Sequence, residues 1–304
     1  MVPPSHPASQ DAAPADDGLP VGWDPRDLPE LPVAEVPEDE RIGNRDLAQW
    51  HTRPGRWVRD TIVNLVEHAP ARVQHWGRWS VANAALVVTV LLGGLLVLAL
   101  NAAAGEVYEA VVQRDGVAAF DQPALDAAVA HRSPTLDARV TDFTDIGGKV
   151  GMPILALVVT LALALSWRKW TPVILMGVAA LGSIGLTIVG KDLIGRARPP
   201  RSLAVPPYES SASFPSGHTL NATVIIGMAT YLLLLRWSSR WARVITVTLA
   251  ATFVIAMGLS RVFLGHHWLT DVVAGWLLGL GWVVAVITAH RVQITLKRAP
   301  AKTA

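Results

Sequence analysis

Six stretches without a single charged residue follow one another along the chain, at 79–105, 150–167, 170–190, 219–235, 244–260 and 272–289. Spanning the hydrocarbon core of a bilayer takes about 20 apolar residues in a helix, within a range of roughly 17 to 25. All six runs fall within reach of that length, with 219–235 and 244–260 at the short end. Buried helices of a large soluble protein would give the same composition locally. Six in series with short polar joints favour the membrane reading. The pattern therefore predicts an all-α chain with a six-transmembrane-helix bundle over 79–290.

The flanks read differently. Residues 1–41 hold ten acidic and two basic residues among many prolines. Such a segment cannot bury enough apolar surface to offset the entropy of ordering, so 1–44 is expected to be a disordered acidic tail. Residues 45–78 interleave Trp50, Trp57, Ile62, Leu65 and Trp76 with Arg53, Arg56, Arg59 and Arg72. That mixture suits amphipathic helices lying at a membrane interface; an ordinary linker helix carries the same pattern. The segment 105–149 has eight acidic and four basic residues, and its apolar spacing suggests short helices lying across one end of the bundle. A substrate-shaping cap and a plain spacer fit it equally. Residues 291–304 form a basic tail.

Composition agrees with a membrane protein. The chain is 51% hydrophobic and 16% charged, with mean hydropathy +0.37, whereas a soluble domain carries about a quarter charged residues. It has no cysteine, which excludes disulfides and thiolate metal sites. A net charge of +2 gives no footing for nucleic acid. The first ten residues contain three prolines and no apolar core, so no signal peptide is expected there.

Charge in the joints predicts orientation. The 45–80 flank, Arg168-Lys169, Arg236/Arg240/Arg243 and the tail together carry fifteen Lys and Arg; the opposite joints carry nine. The positive-inside rule places the first set, and with it both termini, in the cytoplasm. The tryptophan pairs Trp76/Trp79, Trp167/Trp170 and Trp237/Trp241 mark the same face as an interfacial belt. The expected location is the cell membrane, multi-pass, with the chemistry-bearing joints outside.

Three segments on that outer side carry the candidate chemistry: Lys191 to Pro199, Pro215-Ser216-Gly217-His218, and Ser260-Arg261 with His267 and Asp271. Lys191 and Arg198 are seven residues apart. If the third span continues past the bilayer, they share one helical face until Pro199 and Pro200 end it. An ammonium and a guanidinium fork suit phosphoryl oxygens; a basic patch binding lipid heads is the alternative. Ser216 is a candidate N-cap for the fourth span, where free N–H groups beside Gly217 make an anion cradle next to His218. The i,i+4 spacing of His267 and Asp271 lets a carboxylate fix the imidazole tautomer and leave the other nitrogen as a nucleophile. His266 is five residues from Asp271 and fits worse.

These segments match Lys-x6-Arg-Pro, Pro-Ser-Gly-His and Ser-Arg-x5-His-x3-Asp without substitution and in that order. The set resembles the signature of the type 2 phosphatidic acid phosphatase superfamily, over roughly residues 80–290. The vanadium haloperoxidases share the motifs but are soluble, and six spans argue against them. The resemblance implies that His267 attacks phosphorus and becomes a phosphohistidine, with Asp271 orienting it. It implies that Lys191, Arg198, Arg261 and the Ser216 and Gly217 backbone stabilise the phosphoryl oxygens. His218 would protonate the leaving oxygen and then activate water. Arg196 and Arg201 match no motif position and are expected to matter less.

No metal-binding carboxylate cluster accompanies the motifs, so neither a metal nor a cofactor is expected. The expected partners are a lipid phosphate substrate and membrane lipids. The substrate classes that fit are a polyprenyl pyrophosphate such as undecaprenyl pyrophosphate, phosphatidylglycerol phosphate, and phosphatidic acid. A lipid phosphotransferase using the same phosphohistidine is one alternative to hydrolysis. A non-enzymatic lipid-binding or transport protein is another, disfavoured because idle ionisable groups are rare in membranes.

Overall fold

A computed structural model describes residues 84–298, with side chains over 86–294. The expected tail at 1–44, the interfacial helices at 45–78 and the end of the basic tail lie outside the described residues. Every regular element within them is helical. The long helices are α1 (Ala84–Gln113), α4 (Gly151–Trp167), α5 (Thr171–Ile194), α6 (Gly217–Arg236), α7 (Arg240–Phe263) and α8 (Leu269–Arg298). Each coincides with one of the uncharged runs. Five are long and apolar enough to cross a membrane; α4, with 17 residues, is shorter. The joint after α1 contains the short helices α2 (Asp121–Ala130) and α3 (Pro134–Asp145), preceded by a 3-10 turn at Gly116–Phe120.

The apolar residues divide into two populations. Leu91, Leu95 and Leu98 of α1, Leu165 of α4 and Leu181 of α5 are exposed, as surfaces that meet lipid tails should be. Helix α6 is the most buried span and α1 the most exposed. Leu220, Val224, Met228, Leu232 and Leu235 follow helical spacing down α6 and are fully buried against α4, α5 and α8.

Close approach of α6 and α8 depends on two glycines. A Cβ on Gly275 would stand 3.0 Å from Thr219 Cβ, and one on Gly279 would stand 2.8 Å from Thr223 Cβ. The Gly275-x3-Gly279 face of α8 thus receives the Thr219/Thr223 face of α6, the small-residue packing that membrane helices use in place of a hydrophobic driving force. At the top of this contact the Ser216 amide donates to the Asp271 carbonyl at 3.0 Å.

Helices α5 and α7 run toward one end of the bundle, and α6 and α8 run back from it. Lys191, His218, Arg261, His267 and Asp271 are therefore collected at that end. Trp167, Trp170, Trp237 and Trp241 lie at the other, with Arg236 against the Trp167 ring and Arg240 against Trp241.

Candidate active site

The first cationic segment departs from the expected helix. Helix α5 stops at Ile194, because Gly195 adopts the left-handed conformation (φ 57°) and its amide returns to the Lys191 carbonyl. The prolines at 199 and 200 come after the helix has already ended. Lys191 and Arg198 therefore do not share a helical face. They meet through space, on the loop that leads into α6. Lys191 Nζ donates to Ser211 Oγ at 3.3 Å and to the Ala212 carbonyl. Arg198 donates to the Ser211 carbonyl at 2.7 Å, to Ser211 Oγ at 3.2 Å and to the Ala212 carbonyl at 3.3 Å.

Ser216 occupies the N-cap position of α6 with extended backbone, but its hydroxyl caps no amide. It accepts from Thr219 Oγ1 at 2.9 Å. Because the Ser216 N–H is bound to Asp271, it cannot also face an anion; the first-turn donors begin at Gly217, whose amide has no helical carbonyl to bond. A Cβ at Gly217 would sit 3.1 Å from Thr187 Cγ2 and 4.0 Å from Lys191 Cε. This places the helix start directly beside the Lys191 side chain. His218 is within electrostatic reach of Arg261, His267, His266 and Arg198, and its Nε2 lies against the Gly148 turn.

The third segment is a tight turn between α7 and α8. Gly265 has φ 71°, and a Cβ there would lie 2.4 Å from the Leu203 carbonyl oxygen, so the turn needs glycine. The turn delivers His266 and His267, whose amides both return to the Arg261 carbonyl. Helix α8 begins two residues after His267, and Asp271 sits in its first turn. There Asp271 Oδ2 accepts from the Trp268 amide at 2.9 Å, half of a capping box. The same oxygen lies 3.4 Å from His267 Nδ1 and accepts from Ser213 Oγ.

His267 is 1% exposed. Burial is the main force on its imidazole and pushes it down to about 3, against the opposing hydrogen bond to Asp271. The ring is therefore neutral at physiological pH. With a carboxylate on Nδ1, the tautomer carries its proton there and leaves Nε2 with a lone pair. Nε2 faces Arg198, whose Nη1 is 3.2 Å away. His266 points elsewhere. Its Nε2 donates to the Val205 carbonyl at 2.6 Å and its Nδ1 is buried without a partner. Burial and then the charge of Arg261 push it down to about 4.

Arg261 is 2% exposed. It donates to Thr144 Oγ1 at 3.1 Å and to Glu209 Oε1 at 3.1 Å. Burial alone would raise the Glu209 carboxyl, but Arg261 and Arg198 overcome it and hold that group below the usual range. The site thus gathers three cations, two histidines and a buried carboxylate into one electrostatically linked cluster. Among the described residues no group of three His, Asp or Glu side chains is placed to hold a metal ion.

Sequence reasoning missed several of these groups. Thr144, Ser213 and Glu209 are single polar residues in joints, and each reaches a site residue more than 50 positions away. Arg196, set aside for lacking a motif position, bonds directly to Asp271 Oδ1 at 2.6 Å. Arg201 has its guanidinium over the Tyr208 ring at 4.3 Å. The 105–149 segment is more than a spacer, since it supplies Asp121 and Thr144. It also supplies Arg132, which donates to the carbonyls of Phe263 and Leu203 and so caps the end of α7.

The sequence model of the PAP2 superfamily matches residues 171–294, which hold all three segments. Phosphatidylglycerophosphatase B of Bacillus subtilis is 31% identical over 173 residues, covering 56% of this chain and 83% of that protein. A decaprenylphosphoryl-5-phosphoribose phosphatase of Mycobacterium tuberculosis is 32% identical over 135 residues, 43% of this chain and 66% of its own length. An undecaprenyl-diphosphatase of Sulfolobus acidocaldarius is 39% identical over 77 residues, 25% of this chain and 32% of its own length. The crystal structure of a transmembrane PAP2-type phosphatidylglycerolphosphate phosphatase from Bacillus subtilis superposes with a TM-score of 0.53 at 24% identity. It covers 72% of this chain and 98% of that one, so the helical fold is shared. The chain belongs to the PAP2 superfamily and is a multi-helix membrane phosphatase.

Proposed function

We propose that the chain hydrolyses a lipid phosphate or lipid pyrophosphate at the extracytoplasmic face of the membrane, through a phosphohistidine on His267 and without a metal. One observation carries this reading: the two nitrogens of a buried, neutral His267 face Asp271 on one side and Arg198 on the other. That is the geometry of an oriented nucleophile aimed at a cationic pocket.

In the first step His267 Nε2 bonds to phosphorus and the bond from phosphorus to the lipid oxygen breaks. His218, which takes up a proton once the substrate's negative charge stands beside it, gives that proton to the leaving oxygen. In the second step water loses a proton to His218 and attacks phosphorus, the N–P bond breaks, and inorganic phosphate leaves with His267 restored. Phosphoryl transfer needs little from a protein beyond positioning and charge stabilisation. Lys191, Arg198, Arg261 and the Gly217 amide supply the charge, and Asp271 supplies the positioning.

The lipid substrate class is supported by the setting. The pocket lies at the ends of apolar helices, where a headgroup sits while its chains stay in the bilayer. Three relatives are named for lipid-linked phosphates, two of them carried on polyprenyl chains. The outer location is supported by the basic joints and exposed tryptophans at the opposite end of the bundle, which the positive-inside rule assigns to the cytoplasm.

The test is phosphate release by the purified protein from a panel of phosphatidic acid, phosphatidylglycerol phosphate and polyprenyl pyrophosphate, with acid-quench trapping of a labelled phosphoenzyme. Phosphate release with an acid-labile label on His267 is expected. Transfer of the label to a lipid acceptor in place of water would make the chain a phosphotransferase.

A further inference from the structure

We infer that Arg196 is a positioning residue for Asp271 and that Asp121, on α2, holds its charge in balance; this rests on the proposal that Asp271 orients a nucleophilic His267. The two oxygens of Asp271 have separate duties. Oδ2 takes His267 Nδ1, Ser213 Oγ and the Trp268 amide. Oδ1 takes Arg196 Nη1 at 2.6 Å. Arg196 thus fixes the rotation of the carboxylate and, with it, the direction in which Oδ2 meets the imidazole.

Arg196 is itself fixed by a closed ring of hydrogen bonds. Its Nη2 donates to Asp121 Oδ2 at 2.7 Å and its Nη1 also donates to Thr270 Oγ1 at 2.7 Å. Thr270 returns two bonds to Asp121, from its hydroxyl to Oδ2 and from its amide to Oδ1, both at 2.8 Å. The guanidinium carbon stands 5.6 Å from the centre of the Trp268 ring. Asp121 is 5% exposed and Asp271 fully buried. A buried carboxylate on a surface helix needs such partners, because an unpaired one is strongly unfavourable.

The charge count explains why a second carboxylate is present. When His267 bonds to phosphorus its ring gains positive character, and a negative Asp271 stabilises it. A guanidinium 2.6 Å from Asp271 with no other partner would cancel that charge. Asp121 takes up the guanidinium charge, so the Arg196–Asp121 pair is neutral and Asp271 keeps its own. Arg196 and Arg198 then act on opposite nitrogens of His267: Arg196 through Asp271 at Nδ1, and Arg198 directly at Nε2.

The experiment uses the full chain in detergent, with a short-chain phosphatidic acid as substrate, inorganic phosphate as competing ligand and rapid-quench trapping of the phosphoenzyme. Arg196→Ala should slow phosphoenzyme formation and lower kcat about 10- to 100-fold, the scale on which losing an orienting partner acts. KM and inhibition by phosphate should stay within about twofold, because binding contacts are untouched. Arg196→Lys should recover part of the loss. In an Asp271→Asn background, Arg196→Ala should cost nothing further. Multiplying losses in the double variant, or a raised KM with kcat intact, would overturn the inference. Should Arg196→Ala fail to fold, Asp121→Asn gives the second reading: a lowered kcat at unchanged KM is expected, and unchanged kcat would overturn the charge balance. Absence of any phosphoenzyme in the unsubstituted protein, or full activity in Asp271→Asn alone, would instead remove the underlying mechanism.

Discussion

Arg198 Nη1 stands 3.2 Å from His267 Nε2, on the face of the imidazole opposite Asp271. A phosphoryl group entering between them would meet a nucleophile on one side and a fixed positive charge on the other. The same arginine donates to the His266 carbonyl at 2.6 Å, so the turn that carries His267, the proposed nucleophile, also holds the charge that faces it.

His267→Ala should therefore abolish phosphate release while the protein stays folded in detergent. Asp271→Asn should leave a small residue of activity, since orientation is lost but the nucleophile remains; an equivalent change in a serine protease triad costs about 10⁴ in kcat. His266→Ala should retain most activity, because His266 bonds to Val205 and turns away from the pocket. Steady-state assays on the three variants decide this, and near-normal activity in His267→Ala with loss in His266→Ala would reverse the assignment.

Alanine at Lys191, Arg198 or Arg261 should each lower kcat/KM by roughly 10² or more, the order seen when one preorganised charge stabiliser is removed. Arg261 should also affect stability, because its removal leaves Glu209 without its guanidinium partner, while Thr144 keeps only Ser260 and Met257. Lysine in its place cannot bridge both. Arg201→Ala should cost less than about threefold, within the small range expected of exposed positions away from a site. Its guanidinium is stacked on Tyr208 at the surface. A loss in Arg201→Ala as large as in Arg198→Ala would make the cluster a general lipid-attracting patch.

The spans were legible because a bilayer imposes length and apolarity on each helix independently, and the six uncharged runs coincide with the six long helices. The pairing of His267 with Asp271 was legible because it is local. The Lys191–Arg198 spacing misled in its mechanism, since a left-handed Gly195 ends the helix before the second cation. The two are brought together by the 211–212 loop, which no periodicity announces. Asp121 was invisible for another reason. An acidic residue in the first turn of a helix is commonly only a partner of the helix dipole. Here that residue is tied to Thr270 and Arg196, about 150 and 75 positions further on.

Stability should fall as pH drops from about 6.5. His266 and His267 are held to about 4 and 3 in the folded protein, chiefly by burial, against an ordinary value of 6.5. Below pH 6.5 the unfolded chain binds protons that the folded one does not, so the equilibrium shifts toward unfolding by up to about 1.4 kcal/mol per pH unit for each group. The loss continues until the folded values are passed. Glu209, held below its ordinary 4.5, adds to the slope only at more acid pH. Thermal unfolding in detergent between pH 7 and 4.5 measures this. His266→Gln should flatten the curve, and an unchanged slope would mean that His266 titrates normally.

The side of the membrane is tested with introduced cysteines, against a chain that has none of its own. Ser202 is exposed at the end of the bundle that holds the site. Ser238 is exposed at the opposite end, and is a better choice than Ser239, whose hydroxyl accepts from the Ala242 amide at the start of α7. The proposed topology puts the Ser238 end, with its excess of Lys and Arg in the joints, in the cytoplasm. A membrane-impermeant thiol reagent should then label Ser202→Cys in intact cells and Ser238→Cys only after permeabilisation. Phosphate release by the same purified variants should survive EDTA, because the proposed transfer uses a histidine and three cations and no metal. The reverse labelling pattern would put the site in the cytoplasm and overturn the outer-face reading. Loss of activity in EDTA, restored by a divalent cation, would mean that the three cations do not suffice for the transferring charge.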